Sequence, residues 1–90
     1  MSYRVELMPR AERDLRALPA EAQKRIARAI HGLAQEPKGR DTALLRGGPK
    51  GLRRFRAGAY RGAYSLDDKA RLVRVWRIGH RSTFYKRLKR

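Results

Sequence analysis

The first apolar pattern in the chain has a period of two. In YRVEL, residues 3–7, the apolar residues Tyr3, Val5 and Leu7 alternate with an arginine and a glutamate. Such alternation is typical of a β-strand that buries one face and exposes the other. We therefore predict a first strand over residues 3–7.

The next two segments have helical spacing, and a proline bounds each of them. In PRAERDLRALP, residues 9–19, Ala11, Leu15 and Leu18 recur at positions i, i+4 and i+7. In PAEAQKRIARAIHGLAQEP, residues 19–37, an apolar stripe has similar spacing and comprises Ala22, Ile26, Ala29, Ile30 and Leu33. Each predicted helix has a single apolar side, so we expect a helix hairpin that packs on another element.

Periodicity is lost over residues 38–51, KGRDTALLRGGPKG, which are rich in glycine. We predict a loop there, with one helical turn at TALL. Three strands follow over residues 52–57, 60–66 and 71–78, and tight turns join them at Gly58 and at residues 67–69. The final GHRSTFYKRLKR is a basic tail compatible with a helix.

The predicted order of elements is β-α-α-β-β-β, which defines a small α+β fold in a single domain over residues 1–90. Sequential strands joined by tight turns favour a mainly antiparallel sheet. The helix hairpin should cover one face of this sheet, because its apolar side must be buried. We expect the opposite face to be free for polar side chains.

The segment RRFRAGAYRGAY, residues 53–64, interleaves arginines with aromatic residues. If the turn at Gly58 has two residues, Arg54, Arg56 and Arg61 share one face of the sheet. The aromatic side chains then lie against the helices: Phe55, Tyr60 and Tyr64. A three-residue turn would reverse this pairing. Like charges that face each other across a sheet are destabilising alone, so an anion such as phosphate should complete the arrangement.

The net charge also indicates a polyanionic partner. The 90 residues include 24 Lys and Arg against eight Asp and Glu, which gives a net charge of +16. Residues 1–45 contribute +3 and residues 46–90 contribute +13, and 18 of the 24 basic residues are arginine. Such a field attracts nucleic acids, and arginine binds phosphate through two parallel hydrogen bonds.

Several classes of site are excluded by composition. Without cysteine the chain has no disulfide and no thiolate metal site, and we see no cluster of metal ligands or cofactor motif. No apolar run approaches the roughly 20 residues of a membrane span, and MSYRVELMPR has no apolar signal-peptide core. We expect a soluble, cytoplasmic protein without membrane association, metal or cofactor.

If the polyanion is RNA, cleavage by its own 2′-hydroxyl needs a base, an acid and positive charge at the phosphate. Arginine supplies the charge but is a poor base. One candidate base is His80, which follows the last predicted strand. The other is Tyr85, because nearby guanidinium groups favour an ionised phenol. His31 lies in the middle of a predicted helix, and we expect it to be structural or solvated.

Three segments, in this order and spacing, resemble the RelE/ParE family of bacterial toxins from type II toxin–antitoxin systems. They are YRVELMPRAERDLRALP, LRRFRAGAYRGAY and VWRIGHRSTFY, and the resemblance spans residues 3–85. It implies the compact sheet and helix hairpin predicted above. For the RelE-like branch it implies a metal-free, ribosome-dependent endoribonuclease that cleaves mRNA in the A site and inhibits translation.

The resemblance also implies roles for individual residues. Arg61 matches the arginine that binds the phosphate, and Arg81 matches the arginine near the leaving group. Tyr85 matches the C-terminal tyrosine, and Arg54 matches a position often held by lysine. His80 and Arg56 are auxiliary candidates. The candidate RNA- or phosphate-binding residues are Arg53, Arg54, Arg56, Arg61 and Lys86.

The implied partners are the ribosome, mRNA and a cognate antitoxin. Family antitoxins typically wrap the toxin with an acidic, amphipathic segment, and we expect a higher-order toxin–antitoxin complex. A domain of charge +16 gains from a negative chain that folds as it binds.

Two residues depart from the family pattern. Leu52 stands where some ribonuclease members carry lysine, and Gly62 replaces a branched apolar residue, which should remove packing from a central strand. An inactive relative and a plain nucleic-acid-binding module are therefore alternatives. A further alternative is the ParE-like branch, which inhibits DNA gyrase and generally lacks the terminal tyrosine, so Tyr85 favours the ribonuclease.

Overall fold

The chain begins with the predicted strand, β1 (Arg4–Leu7), and continues through two helices, α1 (Pro9–Arg16) and α2 (Ala20–Gln35). The computed structural model describes residues 2–46 and 50–88. Pro9 lies in the first turn of α1, and Pro19 is the N-cap residue of α2. Proline is tolerated at a helix start because its missing N–H has no partner there in any case.

The remaining elements form most of the sheet and a third helix. They are β2 (Thr42–Leu44), β3 (Arg53–Ala57), β4 (Tyr60–Asp67), β5 (Leu72–His80) and α3 (Arg81–Leu88). The strand order is β1-β5-β4-β3-β2, in which only the β1–β5 pair is parallel among the described strands. The α+β architecture with a mainly antiparallel sheet is thereby confirmed.

Strand β2 lies inside the segment that we predicted as a loop, so the helical turn expected at TALL is wrong. Its residues pair with β3, and Thr42 lies opposite Phe55. Beyond the strand, the N–H of Leu45 donates to the carbonyl of Leu52 at 2.9 Å. A three-residue strand has too little periodicity to be recognised, because its hydrogen bonds come from the neighbouring strand. Residues 47–49 of the predicted loop and residues 89–90 of the predicted tail lie outside the described residues.

Helices α1 and α2 cover one face of the sheet, as predicted. The main core lies between these helices and the sheet. It comprises Ala11, Ile26, Leu33, Phe55, Ala57, Tyr64, Val73, Val75 and Ile78. Tyr64 is fully buried, and its hydroxyl donates to the carbonyl of Pro37. This hydrogen bond joins the sheet to the segment after α2 and satisfies the one polar group of a core side chain.

Helix α3 covers part of the opposite face, which corrects the expectation of a face free for polar side chains. Phe84 and Leu88, one helical turn apart, pack on Ala63 in a second apolar cluster that Leu45 and Leu52 border. The small side chain of Ala63 leaves room for the helix to approach the sheet. None of the helices in residues 2–46 and 50–88 is long and apolar enough to cross a membrane.

One carboxylate connects α1 with β5 and α3. Asp14 Oδ2 accepts hydrogen bonds from Arg77 Nε and from the N–H of Ile78, both at 2.9 Å. Asp14 Oδ1 lies 3.9 Å from Nη1 of Arg87 in α3. The Asp14 side chain is only 12% exposed, so these contacts are partly shielded from solvent.

Candidate functional site

The turn between β3 and β4 has two residues, Gly58 and Ala59, since Ala57 pairs with Tyr60. Gly58 has a φ of +63°, which glycine adopts without the steric penalty of a Cβ. The register that follows places Arg56 opposite Arg61 and Arg54 opposite Ala63. Directly opposed residues share a face of the sheet, so the prediction that Arg54, Arg56 and Arg61 lie together is confirmed.

Arg61 is held at the turn by backbone carbonyls. Its Nη1 donates to the carbonyl of Gly58 at 2.8 Å and to that of Tyr60 at 2.9 Å. A guanidinium has five N–H donors, so Nε and Nη2 keep three of them for another acceptor. Arg56 beside it is exposed and lies 4.0 Å from Asp41 Oδ1, a distance that makes the ion pair weak.

Arg54 points into a cavity of about 250 Å³ that Tyr85 also lines. The Nη1 nitrogen of Arg54 is excluded from solvent and has no hydrogen-bond partner among the described residues. Buried donors normally have an acceptor, and one that lacks it in a native protein is often associated with function or with an unseen ligand. The cavity is completed by Ala43, Leu44, Leu45 and Arg46.

Helix α3 positions two of the candidate residues through its apolar contacts with the sheet. At its start, the backbone N–H of Arg81 donates to the carbonyl of Ala59 at 2.8 Å, which places Arg81 beside the turn. Phe84 is 1% exposed and anchors the middle of the helix. Tyr85 packs edge-on against the Phe84 ring with centroids 5.1 Å apart, yet 41% of it is exposed. The phenol is therefore held at the cavity while remaining accessible.

Among the predicted site residues that do not line the cavity of Arg54 and Tyr85 are Arg53, Lys86 and His80. Arg53 alternates to the helix-facing side, where its Nε donates to the Tyr64 hydroxyl at 3.1 Å and its Nη2 to Thr42 Oγ1 at 3.0 Å. We therefore no longer place Arg53 among the phosphate ligands, because its donors are used in packing the sheet. Lys86 is exposed on α3, and no contact with the cavity places it there.

His80 lies on the face of the sheet opposite to Arg61. It pairs with Tyr60 across β4 and β5, and the two rings pack edge-on with centroids 5.5 Å apart. Its Nδ1 accepts the N–H of Ser82 at 3.1 Å and lies 2.8 Å from Ser82 Oγ. These bonds cap the first turn of α3, which is a structural role for the imidazole.

The two departures from the family pattern have local explanations. Gly62 lies opposite Phe55, and a Cβ added to Gly62 would overlap the Phe55 ring. The expectation of lost packing at Gly62 is therefore wrong, because the Phe55 ring occupies that space. Leu52 is half-buried and packs against the second apolar cluster, so its side chain is used for packing rather than charge.

Two further arginines lie near the candidate residues and were not predicted. Arg46 lines the cavity of Arg54 and Tyr85. Arg25, on α2, meets the turn: a Cβ added to Gly58 would lie 2.8 Å from Arg25 Nη1. Neither residue has a local pattern that marks it, because Arg46 sits in an irregular segment and Arg25 on an exposed helix flank. Only the tertiary fold brings them to the site.

Apart from Asp41, which lies 4.0 Å from Arg56, the acidic residues form their ion pairs elsewhere. Glu6 pairs with Arg4 and Arg74, and Asp14 pairs with Arg77 and Arg87. Within residues 2–46 and 50–88, no ion pair involves Arg54, Arg61 or Arg81. The sheet face below α3 therefore keeps an uncompensated positive charge that favours an anionic ligand.

Comparison with known proteins gives matches over almost the whole chain. A family model described as the ParE toxin of the type II toxin–antitoxin system, parDE, matches residues 5–85. Toxin RelG of Mycobacterium tuberculosis (strain ATCC 25618 / H37Rv) is 34% identical over 88 residues, which cover 97% of this chain and 100% of RelG.

Solved structures match the same fold. The toxin–antitoxin complex RelBE2 from Mycobacterium tuberculosis contains a chain that matches with a TM-score of 0.78 and 30% identity, covering 89% of this chain and 99% of that one. The archaeal RelE–RelB complex from Pyrococcus horikoshii gives a TM-score of 0.76 at 29% identity, with coverage of 90% and 97%.

Proposed function

Because the chain belongs to the RelE/ParE family of toxins from type II toxin–antitoxin systems, we propose that it is a ribosome-dependent endoribonuclease that cleaves mRNA in the A site. The observation that carries this proposal is that Arg54 and Tyr85 line the same cavity. The Nη1 atom of Arg54 is solvent-excluded and has no partner among the described residues, and a buried charged donor without an acceptor costs more than about 1–3 kcal/mol. A phosphate of bound RNA in the cavity would offset the charge of this guanidinium.

The reaction that suits these side chains is transphosphorylation within the RNA. The 2′-oxygen attacks the adjacent phosphorus, and the P–O5′ bond breaks as the new O2′–P bond forms. The leaving O5′ takes a proton from a water molecule, so the products are a 2′,3′-cyclic phosphate and a 5′-hydroxyl. Tyr85, which lines the same cavity as Arg54, takes the 2′ proton. His80 is less suited to this role, since its Nδ1 is occupied by Ser82.

Two arginines complete the proposed chemistry. Arg61 binds the non-bridging phosphate oxygens through Nε and Nη2, because Nη1 is already bound to the carbonyls of the turn. Arg81 offsets the charge that develops on the leaving O5′. Fixed positive charge around a crowded phosphate stabilises the transition state more than the ground state, which is the condition for rate acceleration.

We assign the antitoxin to a groove of about 570 Å³ between the start of α1 and the end of α3. The related complexes contain RelB-type antitoxins. The groove is lined by apolar and basic residues, a composition that fits an acidic, amphipathic segment. The apolar residues are Met8, Pro9, Leu52, Trp76 and Leu88, and the basic residues are Arg10, Lys50, Arg77 and Arg87. Arg77 and Arg87 are partly compensated by Asp14. Trp76 is 40% exposed and is the natural anchor for such a contact.

Inhibition of DNA gyrase is the second candidate function, because the matching family model is named for ParE. It needs the shared scaffold and a binding surface, and does not need a phenol beside Arg54. A supercoiling assay with purified gyrase tests it directly. A second result in its favour would be DNA damage signalling in expressing cells whose mRNA stays intact.

The experiment that tests the proposed cleavage adds the purified protein to ribosomes programmed with a defined mRNA and maps new 5′ ends by primer extension. We expect one new end within the A-site codon, and none when ribosomes are omitted. Tyr85→Phe and Arg61→Ala should abolish this end. Tyr3→Phe and Arg74→Ala are the matched controls, because they make the same changes outside the site. Retained cleavage by both Tyr85→Phe and Arg61→Ala would reject the assignment.

A further inference from the structure

The turn between β3 and β4 is contacted by arginines from three different elements. From β4, Arg61 Nη1 donates to the carbonyl of Gly58 at 2.8 Å. From the start of α3, the backbone N–H of Arg81 donates to the carbonyl of Ala59 at 2.8 Å. From α2, Arg25 places its guanidinium against Gly58, which lacks a Cβ at the point of contact.

Glycine at position 58 matters for the backbone and for the position of Arg25. Its φ of +63° favours glycine, and a Cβ there would lie 2.8 Å from Arg25 Nη1. The absence of a side chain lets the Arg25 guanidinium reach the backbone of the turn. Arg25 and Arg61 thus contact the same residue, although they belong to opposite sides of the sheet.

The charge around this turn is not compensated by the protein. Across residues 2–46 and 50–88, no carboxylate lies within ion-pair distance of Arg25, Arg61 or Arg81, although Lys24 beside Arg25 pairs with Glu21 at 3.9 Å. The guanidinium groups of Arg25 and Arg61 both contact Gly58, and two like charges this close together repel each other until an anion binds between or beside them. An arginine that only packed its stem on α2 would have no need to direct its guanidinium at this turn.

We propose that Arg25 binds a phosphodiester of RNA next to the one that is cleaved, so that the strand continues across the turn onto α2. This inference rests on the proposed action on RNA. Arg61 holds the reacting phosphate on the side of α3, and Arg25 holds a neighbouring phosphate on the side of α2. The planar guanidinium suits a phosphate because two of its N–H groups meet two oxygens at once. The phosphodiester can belong to mRNA or to ribosomal RNA.

Binding measurements at several salt concentrations test this assignment. The proteins carry Tyr85→Phe so that RNA is not cut during the measurement. Arg25→Gln removes the charge, and Arg25→Lys keeps the charge but lacks the paired N–H donors of a guanidinium. Arg13→Gln is the control, because it removes an exposed arginine from α1. The ligands are a 12-nucleotide single-stranded RNA, roughly the length that spans one small domain, and ribosomes without mRNA.

For the oligonucleotide, we expect Arg25→Gln to lower the magnitude of the slope of log association constant against log salt concentration by about 0.7. This change corresponds to about five-fold weaker binding near 0.1 M salt. Arg25→Lys should recover the slope, and Arg13→Gln should change it by less than half as much. If Arg25→Gln weakens binding to the oligonucleotide, the phosphate belongs to mRNA. If it weakens binding only to ribosomes without mRNA, the phosphate belongs to ribosomal RNA.

The proposal is overturned if Arg25→Gln binds both ligands with the affinity and salt slope of Arg13→Gln. This readout is independent of catalysis. If the protein carrying native Tyr85 fails to cut mRNA while Arg25→Gln weakens binding as expected, the cleavage chemistry is rejected and the phosphate site at Arg25 stands.

Discussion

Arg54 and Tyr85 line the same cavity, and the Nη1 nitrogen of Arg54 is solvent-excluded and has no acceptor among the described residues. Two independent features bring the pair together. The two-residue turn at Gly58 directs Arg54 to the face that α3 covers, and Phe84 fixes α3 on that face. The site therefore contains a cation whose burial weakens the free protein and whose charge suits a bound phosphate.

Replacement of Arg54 by methionine should separate stability from activity. Arg54→Met keeps most of the side-chain length and removes the unpartnered donor, so we expect the free energy of unfolding to rise by about 1 kcal/mol. Cleavage should fall at least ten-fold, because charge at the phosphate is lost. Urea denaturation and the programmed-ribosome assay measure the two effects. Arg74→Met on β5 is the control and should change both little. A loss of stability in Arg54→Met would argue against a strained, unpartnered guanidinium.

The contact between Phe55 and Gly62 predicts strong coupling in a double-mutant cycle. Gly62→Ala alone should cost about 2 kcal/mol, because the new methyl group would overlap the Phe55 ring. Phe55→Ala alone should cost about 3–5 kcal/mol through the cavity that it leaves. In the Phe55→Ala background, Gly62→Ala should be close to neutral. Additive effects of the two substitutions, measured by urea denaturation, would show that the ring does not fill this space.

Asp14 should be the most important carboxylate for stability among the described residues. Asp14→Ala removes the acceptor of Arg77 Nε and of the Ile78 N–H. We expect a loss of about 2–3 kcal/mol, since both donors remain partly buried. Glu12→Ala, an exposed change on the same helix, is the control and should stay within about 0.5 kcal/mol. Equal losses for the two variants would contradict the assignment of Asp14.

Tyr3 should make stability depend on alkaline pH. The hydrogen bond from its hydroxyl to Asp68, at 2.7 Å, raises the pKa of Tyr3 above its ordinary value near 10, and the nearby Arg71 guanidinium opposes this shift. A raised pKa means that the folded state favours the neutral phenol. The contribution of this hydrogen bond to the free energy of unfolding is therefore complete below about pH 10. It is lost as the pH rises through the pKa of Tyr3 in the folded state.

The comparison that isolates this contribution is the difference in unfolding free energy between the native chain and Tyr3→Phe. This difference should be constant below about pH 10 and should shrink between about pH 10 and about pH 12, while contributions of the other tyrosines and lysines cancel. A difference that stays constant over this range would mean that the hydrogen bond to Asp68 does not persist in solution.

The elements with long, regular patterns could be predicted from the sequence. Ala11 and Ile26 have the spacing of buried helix positions, and both are fully buried in the core. The turn at Gly58 was predicted only conditionally, since its length decides on which face Arg54 lies. Strand β2 was missed because Thr42–Leu44 depends on hydrogen bonds from β3, and no local signal records them.

The site was only partly predictable for the same reason. Arg61 and Arg54 follow from alternation along the strands once the turn length is known. Arg53, predicted with them as a candidate phosphate-binding residue, lies on the other face of the sheet, where it contacts Tyr64 and Thr42. Arg25 meets the turn through the packing of α2 on the sheet, and Arg46 reaches the cavity from an irregular segment. Long-range packing of this kind leaves no periodic pattern in a single sequence.

The most direct test of the proposed chemistry removes a single 2′-hydroxyl group from the substrate. A programmed ribosome carries mRNA with a single 2′-deoxynucleotide, placed either at the nucleotide 5′ of the cleaved bond or one position away. We expect the substitution 5′ of the cleaved bond to abolish cleavage. The substitution one position away should leave the cleavage rate unchanged, and the product should carry a 2′,3′-cyclic phosphate end. Cleavage of the first substrate at the unmodified rate would contradict attack by the 2′-hydroxyl, and with it the proposed roles of Tyr85 and the arginines around it.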